Sequence, residues 1–344
     1  MRRAGGLWPA VVDFEHLCVS ARRASLGKRG SAGVCRFLLD LEPEVLALKR
    51  ELVEQAWGPG PVTRFEVHDP KLRTITVAPF RDRVVHHALI GVLEPILDRG
   101  MVHESFACRK GKGTHAALDH AQALLRRWPW FVKLDVASCF ASIRHDLVLG
   151  CVARKIKDRR VLELCRRLLA GPEPDGGPGP ARGLPIGSLT SQWFCNLLLD
   201  RLDHHIKQTL RVRGYVRYMD DMVLFAACKS EARRLRQEVE AYLVQVLDLR
   251  PNQRAALLGP STMGLPFLGW RLYAGLRRVR PGNLRRIRSR LRRRAWEVRT
   301  GRATPDAFRA SLASTIAHLQ HGSTRALGKS WLGQLAEPER GRSP

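Results

Sequence analysis

The 344-residue chain has few acidic residues for the number of its basic ones. It carries 32 Asp and Glu against 59 Lys and Arg, which gives a formal net charge of +27 at pH 7. A folded protein with such an excess of positive charge needs an anionic partner, and the phosphate backbone of nucleic acid is the commonest one. Because 44% of the residues are apolar, the composition excludes a disordered basic tail and predicts a folded chain of two or three subdomains.

The sequence also lacks closely paired cysteines, a secretory leader and a membrane-spanning run. Its eight cysteines include no Cys-x-x-Cys pair, which gives no support for a zinc site. Asp13 and Glu15 interrupt the N-terminal segment before an apolar region of signal-peptide length is reached. The longest uncharged stretch, 183–199, contains Gly, Ser, Thr, Gln and Asn. We therefore expect a reduced, cytoplasmic protein without a membrane partner.

Hydrophobic periodicity predicts a chain of the α+β class. Helical patterns occupy 1–60, 80–100, 143–170, 188–212, 230–247 and the Arg-rich region beyond 277. Strand patterns occupy 62–78, 130–136, 215–225 and 265–273. The segment 171–183, rich in glycine and proline, is predicted to be a loop.

The most informative segment is 215–225, which reads YVRYMDDMVLF. Its two apolar arms flank Asp220 and Asp221 at a predicted hairpin turn. Adjacent carboxylates repel one another, and a hard divalent cation such as Mg²⁺ removes that cost. The alternative for an isolated Asp-Asp pair is a solvated hairpin tip. However, Asp135 ends a second apolar strand, and two such strands can meet on one sheet and hold two Mg²⁺ ions for phosphoryl transfer.

These segments resemble the motifs of reverse transcriptases. The YMDD sequence of 218–221 is similar to their active-site motif, and Asp135 stands where their other metal-binding aspartate lies. The likeness extends from about residue 65 to about residue 275. It is strongest to the reverse transcriptases of diversity-generating retroelements, on segments 78–89 (APFRDRVVHHAL), 105–118 (SFACRKGKGTHAAL), 184–207, 215–221 and 265–270.

The resemblance implies a right-hand polymerase fold with fingers, a palm of antiparallel sheet and helices, and a short helical thumb. The implied parts are an N-terminal helical extension at 1–60, fingers at 61–130, a palm at 131–264 with a fingers–palm loop at 171–183, primer-grip strands at 265–276, and a basic helical thumb and tail at 277–344. No segment resembles an RNase H, integrase or endonuclease domain.

The resemblance also assigns the metal site and the sugar-binding site. Asp135, Asp220 and Asp221 are the implied catalytic metal ligands, with the carbonyl of Val136 as a further ligand. The implied cofactor is a pair of Mg²⁺ ions, for which Mn²⁺ can substitute. Phe140 is the implied steric gate, whose ring leaves no room for a 2′-hydroxyl group; the alternative for this residue is core packing.

Further residues are implied to contact the nucleotide or the nucleic acid. The dNTP contacts are Lys71, Arg73, Phe140, Ile186, Gly187 and Gln192. The nucleic-acid contacts are Arg81, Arg83, Arg109, Lys110, Lys112, Tyr218, Met219, Leu268, Gly269, Trp270, Arg285, Arg288 and Arg292. Cations on a fingers strand neutralise triphosphate oxygens, and glycines in the 109–113 loop let the backbone approach phosphate. The alternatives are an exposed basic strand for 71–73, core packing for 265–270 and a solvated face for 285–299.

Two positions distinguish this chain within the family. Many reverse transcriptases have Gln where Ile186 stands. The resemblance to the diversity-generating group implies error-prone copying at template adenines, to which Ile186 contributes; the alternative for Ile186 is a neutral packing substitution. The segment 247–257 lacks the Lys that related proteins carry there. Arg250 or Arg254 can supply the positive charge, but arginine is a poor proton donor.

The sequence therefore predicts an RNA-directed DNA polymerase that copies template RNA into mutagenised cDNA. Its expected partners are template RNA, a structured non-coding RNA, the RNA–cDNA heteroduplex, dNTPs and a small basic oligomeric accessory protein. One alternative is a retron-like or antiphage-defence reverse transcriptase. Another is a catalytically inactive RNA-binding protein with a polymerase fold, against which the presence of all three aspartates argues.

Overall fold

A computed structural model describes residues 3–68, 72–171 and 180–324. The helices are α1 (Trp8–Val11), α2 (Phe14–Ala24), α3 (Ala32–Leu39), α4 (Leu41–Val53), α5 (Phe80–Asp98), α6 (Thr114–Leu125), α7 (Cys139–Ser142), α8 (His145–Lys155), α9 (Arg159–Ala170), α10 (Leu189–His204), α11 (Lys229–Gln245), α12 (Pro281–Arg299) and α13 (Pro305–Gln320). The strands are β1 (Thr63–His68), β2 (Leu72–Val77), β3 (Trp130–Leu134), β4 (Gly214–Tyr218), β5 (Asp221–Ala226), β6 (Leu257–Pro260), β7 (Leu265–Phe267), β8 (Trp270–Leu272) and β9 (Arg277–Val279).

The central sheet is antiparallel, with strand order β4-β5-β3-β6. Its strands are apolar on both faces because both faces are covered. Along β5, Met222 and Leu224 enter the main core, whereas Val223 and Phe225 enter a second core. Helix α11 packs against β3 and β5, and α6 packs against β4 and β5. The loops at the strand ends are therefore held on a rigid platform.

The N-terminal helices pack around α5, which is buried along much of its length. The β1–β2 hairpin immediately precedes α5, as the alternating pattern of 62–78 predicted. At the other end of the chain, β7, β8 and β9 form a three-stranded sheet. Helices α12 and α13 follow this sheet and pack against each other around Leu291 and Leu319.

The helical prediction for 143–170 is wrong at its centre. Helix α8 ends before Ile156, which is extended and fully buried, and α9 begins after Asp158. The region beyond 277 begins with strand β9 rather than with helix. The sequence did not predict α6 or β6. Of the predicted loop at 171–183, residues 172–179 lie outside the described part of the chain.

The α+β prediction is confirmed by this mixture of helices and sheets. None of the helices formed by the described residues is both long and apolar enough to cross a membrane.

Asp158 joins the N-terminal segment to α9. One carboxylate oxygen accepts hydrogen bonds from the backbone N–H groups of Leu7 and Trp8, at 2.8 and 3.0 Å. The other oxygen caps α9 by accepting from the N–H groups of Arg160 and Val161. One side chain therefore satisfies four N–H groups at two helix starts.

We expect Asp158→Ala to lower the free energy of unfolding by about 2–3 kcal/mol, because the cap and two further hydrogen bonds are lost together. Chemical denaturation measures this change. Asp13→Ala is the matched control, since Asp13 caps α2 through the N–H of His16 alone and its loss costs about 1 kcal/mol. Equal losses in the two variants would contradict a joining role for Asp158.

Candidate active site

The three aspartates lie at one end of the central sheet. Tyr218 and Asp221 form the last pair of the β4–β5 hairpin, with Met219 and Asp220 as its turn. Strand β3 pairs with β5 so that Leu134 faces Met222. The same register, continued by one residue, places Asp135 opposite Asp221. The antiparallel pairing therefore brings the acid that ends β3 to the acids of the hairpin turn.

Asp221 is the most perturbed of these carboxyl groups. Its pKa is raised to about 6, chiefly by burial, with Asp135 and Asp220 adding repulsion and Lys133 opposing the shift. Lys133 Nζ lies 2.6 Å from Asp221 Oδ1, and the two side chains are 14% and 22% exposed. The Lys133 ammonium is thus the partner described for this buried oxygen.

Asp135 is held by the segment that follows α11. Asn252 donates from Nδ2 to Asp135 Oδ2 at 2.7 Å, and its backbone N–H donates to the Asp135 carbonyl at 2.8 Å. Val136 forms an isolated antiparallel bridge with Pro251. This is the segment in which the sequence shows no Lys. The structure gives it a different role, since Asn252 orients a carboxylate that lies 117 positions earlier in the chain.

Phe140, which follows Asp135 by five residues, is joined through its backbone to the segment that contains Ile186 and Gly187. Phe140 is half-buried in α7, and its carbonyl accepts a hydrogen bond from the Leu184 N–H at 2.7 Å. The Thr76 N–H of β2 donates to the Ile186 carbonyl at 3.0 Å. Gly187 has a φ of +110°, and a Cβ atom there would lie 3.1 Å from the Thr76 carbonyl oxygen. Glycine is therefore required where β2 crosses this segment.

The first turn of α10 contacts the basic loop, which is the connection 99–113 between α5 and α6. Gln192 Oε1 accepts from the Cys108 thiol at 3.4 Å, and the same thiol lies 4.0 Å from Met219 Sδ. Tyr218 accepts a hydrogen bond from the Thr114 hydroxyl at 3.1 Å. The residues predicted to contact nucleotide and primer are thus linked to one another around the hairpin turn.

The basic residues between positions 71 and 83, which the sequence predicts to lie in the fingers, differ in their surroundings. Lys71 lies outside the described residues, and Arg73 lies in β2 opposite Val67. Arg81 forms an ion pair with Glu51. Arg83 lies over the Phe80 ring, and its Nε atom is buried without a hydrogen-bond partner.

Arg83 also lines a cavity of about 750 Å³ beside Gly187. Other basic residues on its wall are Lys28, His86 and His87. Burial lowers the pKa of Lys28, and Arg83 lowers it further. An anion in this cavity would therefore relieve a mutual repulsion of cations.

The prediction that Arg109 contacts nucleic acid requires a correction. Its guanidinium donates to Asp98 Oδ1 at 2.5 Å and to the carbonyls of Val102 and Ser105, and the side chain is only 7% exposed. Arg109 therefore shapes the loop from within. Lys110, which pairs with Glu94 and is 84% exposed, remains available to phosphate.

Lys112 contacts the backbone of the loop, and its pKa is lowered. Its ammonium donates to the His103 carbonyl and lies 5.0 Å from the centroid of the Phe106 ring. Its pKa is lowered to about 8, first by burial and then by Arg109. The loop carries Lys110 and Lys112 on its surface around an internal arginine.

Trp270 is also corrected. Its side chain is fully buried, and the ring lies 5.2 Å from the His318 ring of α13, so it cannot contact a primer directly. Leu268 and Gly269 form the β7–β8 turn, both with positive φ, and the Gly269 carbonyl accepts from Asn283 Nδ2 at 3.0 Å. The predicted primer-grip turn is thus attached to the start of α12.

The predicted thumb arginines lie on the exposed side of α12. Arg285, Arg288 and Arg292 are all exposed. Leu284, Ile287 and Leu291 lie on the opposite side, towards α13. The alternation of arginine and apolar residues therefore reflects an amphipathic helix.

The described residues contain no group of three or more His, Cys, Asp or Glu side chains arranged to hold a metal ion. Lys133 and Asn252 instead contact the carboxylates of Asp221 and Asp135. The site nevertheless fits a hard cation. Asp221 presents a buried oxygen that faces an ammonium, and two further carboxylates repel it, so positive charge is required at this point.

Comparison with known sequences points to one family. A family model described as reverse transcriptase (RNA-dependent DNA polymerase) matches residues 67–253, which is more than half of the chain. Protein YkfC of Escherichia coli (strain K12) is 26% identical over 77% of this chain and 82% of its own length. The group II intron-encoded protein LtrA of Lactococcus lactis is 20% identical over 67% of this chain.

The extent of these matches differs. The chain spans 49% of LtrA and only 19% of the putative COX1/OXI3 intron 1 protein of Saccharomyces cerevisiae, to which it is 29% identical. Among solved structures, telomerase from Candida albicans superposes with a TM-score of 0.50 at 12% identity, over 67% of this chain and 48% of that one. This likeness confirms the predicted right-hand polymerase fold. The diversity-generating subgroup stays a prediction.

The raised pKa of Asp221 predicts an unusual pH dependence of stability. The folded protein holds this proton more tightly, because the pKa is about 6 rather than the ordinary 3.8. Ionisation therefore costs folding free energy as the pH rises through this window, on the order of 2–3 kcal/mol above it. Without divalent cations, we expect Asp221→Asn to raise the melting temperature at about pH 8 and to leave it nearly unchanged at about pH 3, below both pKa values.

Asp248→Asn is the control with the opposite sign. Hydrogen bonds from Arg182 and Arg144 lower the pKa of Asp248, so its ionised form is stabilising. Its replacement should lower the melting temperature at about pH 8. A decrease in both variants at that pH would contradict the assigned environment of Asp221.

Proposed function

The chain belongs to the reverse transcriptase (RNA-dependent DNA polymerase) family, and we propose that it copies a template RNA into cDNA by two-metal nucleotidyl transfer. The observation that carries this proposal is the meeting of Asp135, Asp220 and Asp221 at the end of the central sheet. Reverse transcriptases use divalent metal ions, and Mg²⁺ is the ion that we propose, with Mn²⁺ as a substitute.

The three aspartates and the Val136 carbonyl would hold the ions. When bound, Mg²⁺ would supply Lewis acidity for attack of a primer 3′-hydroxyl on the nucleotide α-phosphate, which displaces pyrophosphate. The protein's own contribution is to hold the reactants in place. Lys133 and Asn252 keep two carboxylates oriented, and Gly187 lets β2 pass close to the nucleotide segment. Phe140 would exclude the 2′-hydroxyl group.

Exposed cations would bind the nucleic acid. Arg285, Arg288 and Arg292 lie on the exposed face of α12, where they can follow the phosphates of an RNA–cDNA heteroduplex. The cavity beside Gly187 offers Arg83 and Lys28 to the phosphates of the template strand. We assign the fingers to 61–130, the palm to 131–264, the primer grip to 265–276 and the thumb to 277–344, after the N-terminal extension at 1–60.

Ile186 supports a more specific role, which is mutagenic copying at template adenines in a diversity-generating retroelement. Its backbone carbonyl is fixed by Thr76, but its side chain cannot donate a hydrogen bond to the nucleotide sugar. Loss of such a bond weakens the geometric check on base pairing. A structured RNA and a small basic accessory protein would act with the enzyme in the cytoplasm. Because two cationic proteins repel, that RNA would hold them together.

The relatives support a second candidate, an intron-encoded type of reverse transcriptase. LtrA is described as a group II intron-encoded protein, and two Arabidopsis thaliana relatives are described as intron maturases. The telomerase structure contains a fragment of telomeric RNA, so binding of a structured RNA fits either candidate. Splicing of a group II intron RNA in the presence of the purified protein would favour the second.

Primer extension on a defined RNA template tests the polymerase itself. We expect Asp220→Asn to reduce extension by roughly 10²–10³-fold or more, because the cation loses a charged ligand. Asp306→Asn in α13 is the matched control, since Asp306 is exposed and pairs only with Arg309 among the contacts described. Wild-type rates in Asp220→Asn would refute the assigned site.

Sequencing of the cDNA tests the role of Ile186. We expect Ile186→Gln to reduce misincorporation opposite template adenine by roughly fivefold to tenfold, the value of one neutral hydrogen bond. Ile186→Leu, which keeps the volume and adds no donor, should retain the wild-type error pattern. An equal change opposite all four template bases would contradict an adenine-directed role.

A further inference from the structure

A fully buried ion pair lies behind the catalytic turn. Arg217 of β4 and Asp203 of α10 both have side chains with no exposed surface. Arg217 donates from Nε to Asp203 Oδ1 at 2.7 Å and from Nη2 to Oδ2, which makes the pair bidentate. The Tyr215 hydroxyl also donates to Asp203 Oδ1 at 2.7 Å. Asp203 therefore receives three hydrogen bonds, two of them from one guanidinium.

The remaining guanidinium nitrogen reaches the turn. Arg217 Nη1 donates to the Met219 carbonyl at 3.0 Å and to Asn196 Oδ1 at 2.9 Å. Met219 has a φ of +54°, a left-handed conformation that is costly for a residue with a side chain. The bond to its carbonyl holds this conformation immediately before Asp220.

The same network reaches the basic loop. The Arg217 N–H donates to the Glu104 carbonyl, and the Arg217 carbonyl accepts from the Phe106 N–H, both at 2.9 Å. Asn196 donates from Nδ2 to the Ala107 carbonyl at 2.9 Å. Asn196 also lies one helical turn after Gln192, so both face the loop from the same side of α10. The hairpin turn, α10 and the basic loop therefore meet at one arginine.

Stability alone does not account for this arrangement. A buried ion pair costs desolvation that its attraction only partly returns, and apolar residues of similar volume are often as stabilising. An apolar side chain, however, cannot bond a carbonyl, and a lysine cannot present donors in several fixed directions. Arg217 uses four of its N–H groups in defined directions on three residues.

We propose that Arg217 is a positioning residue, which fixes the Met219 carbonyl and thereby the placement of Asp220 and Asp221 for the divalent cations. The inference rests on the proposed function, in which these aspartates hold the metal. Arg217 itself does not touch the reacting atoms. Its effect passes through one carbonyl, and the ion pair with Asp203 serves to hold the guanidinium in place.

Arg217→Lys tests this role while keeping a positive charge beside Asp203. We expect the Mg²⁺ concentration for half-maximal primer extension to rise by about 10- to 100-fold and kcat to fall, with little change in the KM for dNTP. The affinity for Mn²⁺, measured by electron paramagnetic resonance without substrate, should fall by a similar factor. This second readout does not depend on catalysis.

Tyr215→Phe is the matched control, because it removes one hydrogen bond to Asp203 and leaves the contact between Arg217 and Met219. It should lower the melting temperature without changing the requirement for Mg²⁺. The triple variant Arg217→Met, Asp203→Leu, Tyr215→Phe covers the case in which Arg217→Lys does not fold. Its apolar core should preserve folding but show the same loss of Mn²⁺ affinity.

The outcomes separate this inference from the proposed function. Wild-type Mn²⁺ affinity and Mg²⁺ dependence in both Arg217 variants would overturn the positioning role. If the wild-type protein binds Mn²⁺ but extends no primer on RNA, the proposed function fails, and the Mn²⁺ measurement still tests Arg217. Reduced Mn²⁺ affinity in the Arg217 variants but not in Tyr215→Phe would support the positioning role of Arg217.

Discussion

The pairing of β3 with β5 imposes the constraint on which the site depends. Its register brings Asp135 to Asp221 at the end of a sheet whose strands are buried on both faces. Water cannot freely screen the charge there, so burial and repulsion together raise the pKa of Asp221. A neutral residue in place of Asp221 would give a larger free energy of unfolding above about pH 6. The presence of three carboxylates at this point is therefore an argument for a cation bound among them.

Three residues from different parts of the chain hold the aspartates and the turn in place. Lys133 places an ammonium against Asp221, Asn252 holds Asp135, and Arg217 holds the backbone of the turn between them. These contacts come from β3, from the segment after α11 and from β4. Each element also belongs to the central sheet or is hydrogen-bonded to it. The carboxylates can thus be kept close together in the absence of metal without relying on a mobile loop.

Local patterns predicted much of the fold and the acids of the site. The YMDD turn, the apolar strands beside it and the helix before it are recognisable because each depends on neighbours in the sequence. Asn252 and Asp203 were missed because their partners are distant in the chain, and no local pattern marks an Asn or Asp as the partner of a buried group. Trp270 was misassigned because a short apolar strand has the same pattern whether it faces a primer or α13. Asp158 was missed for a related reason. It lies inside the single helix predicted for 143–170, and only the break between α8 and α9 shows that it caps a helix.

The net charge of +27 overstates the charge that nucleic acid can meet. Arg109, Arg217 and Arg277 each have side chains that are at most 7% exposed and bond to carboxylates and carbonyls within the protein. Arginine suits this purpose because its planar group offers several donors with fixed directions. The exposed arginines of α12 have a different setting, on a helix that turns its apolar side to α13. The basic residues therefore form two populations, of which one bonds to groups inside the protein and the other lies on the exposed face of a helix, and sequence composition alone cannot separate them.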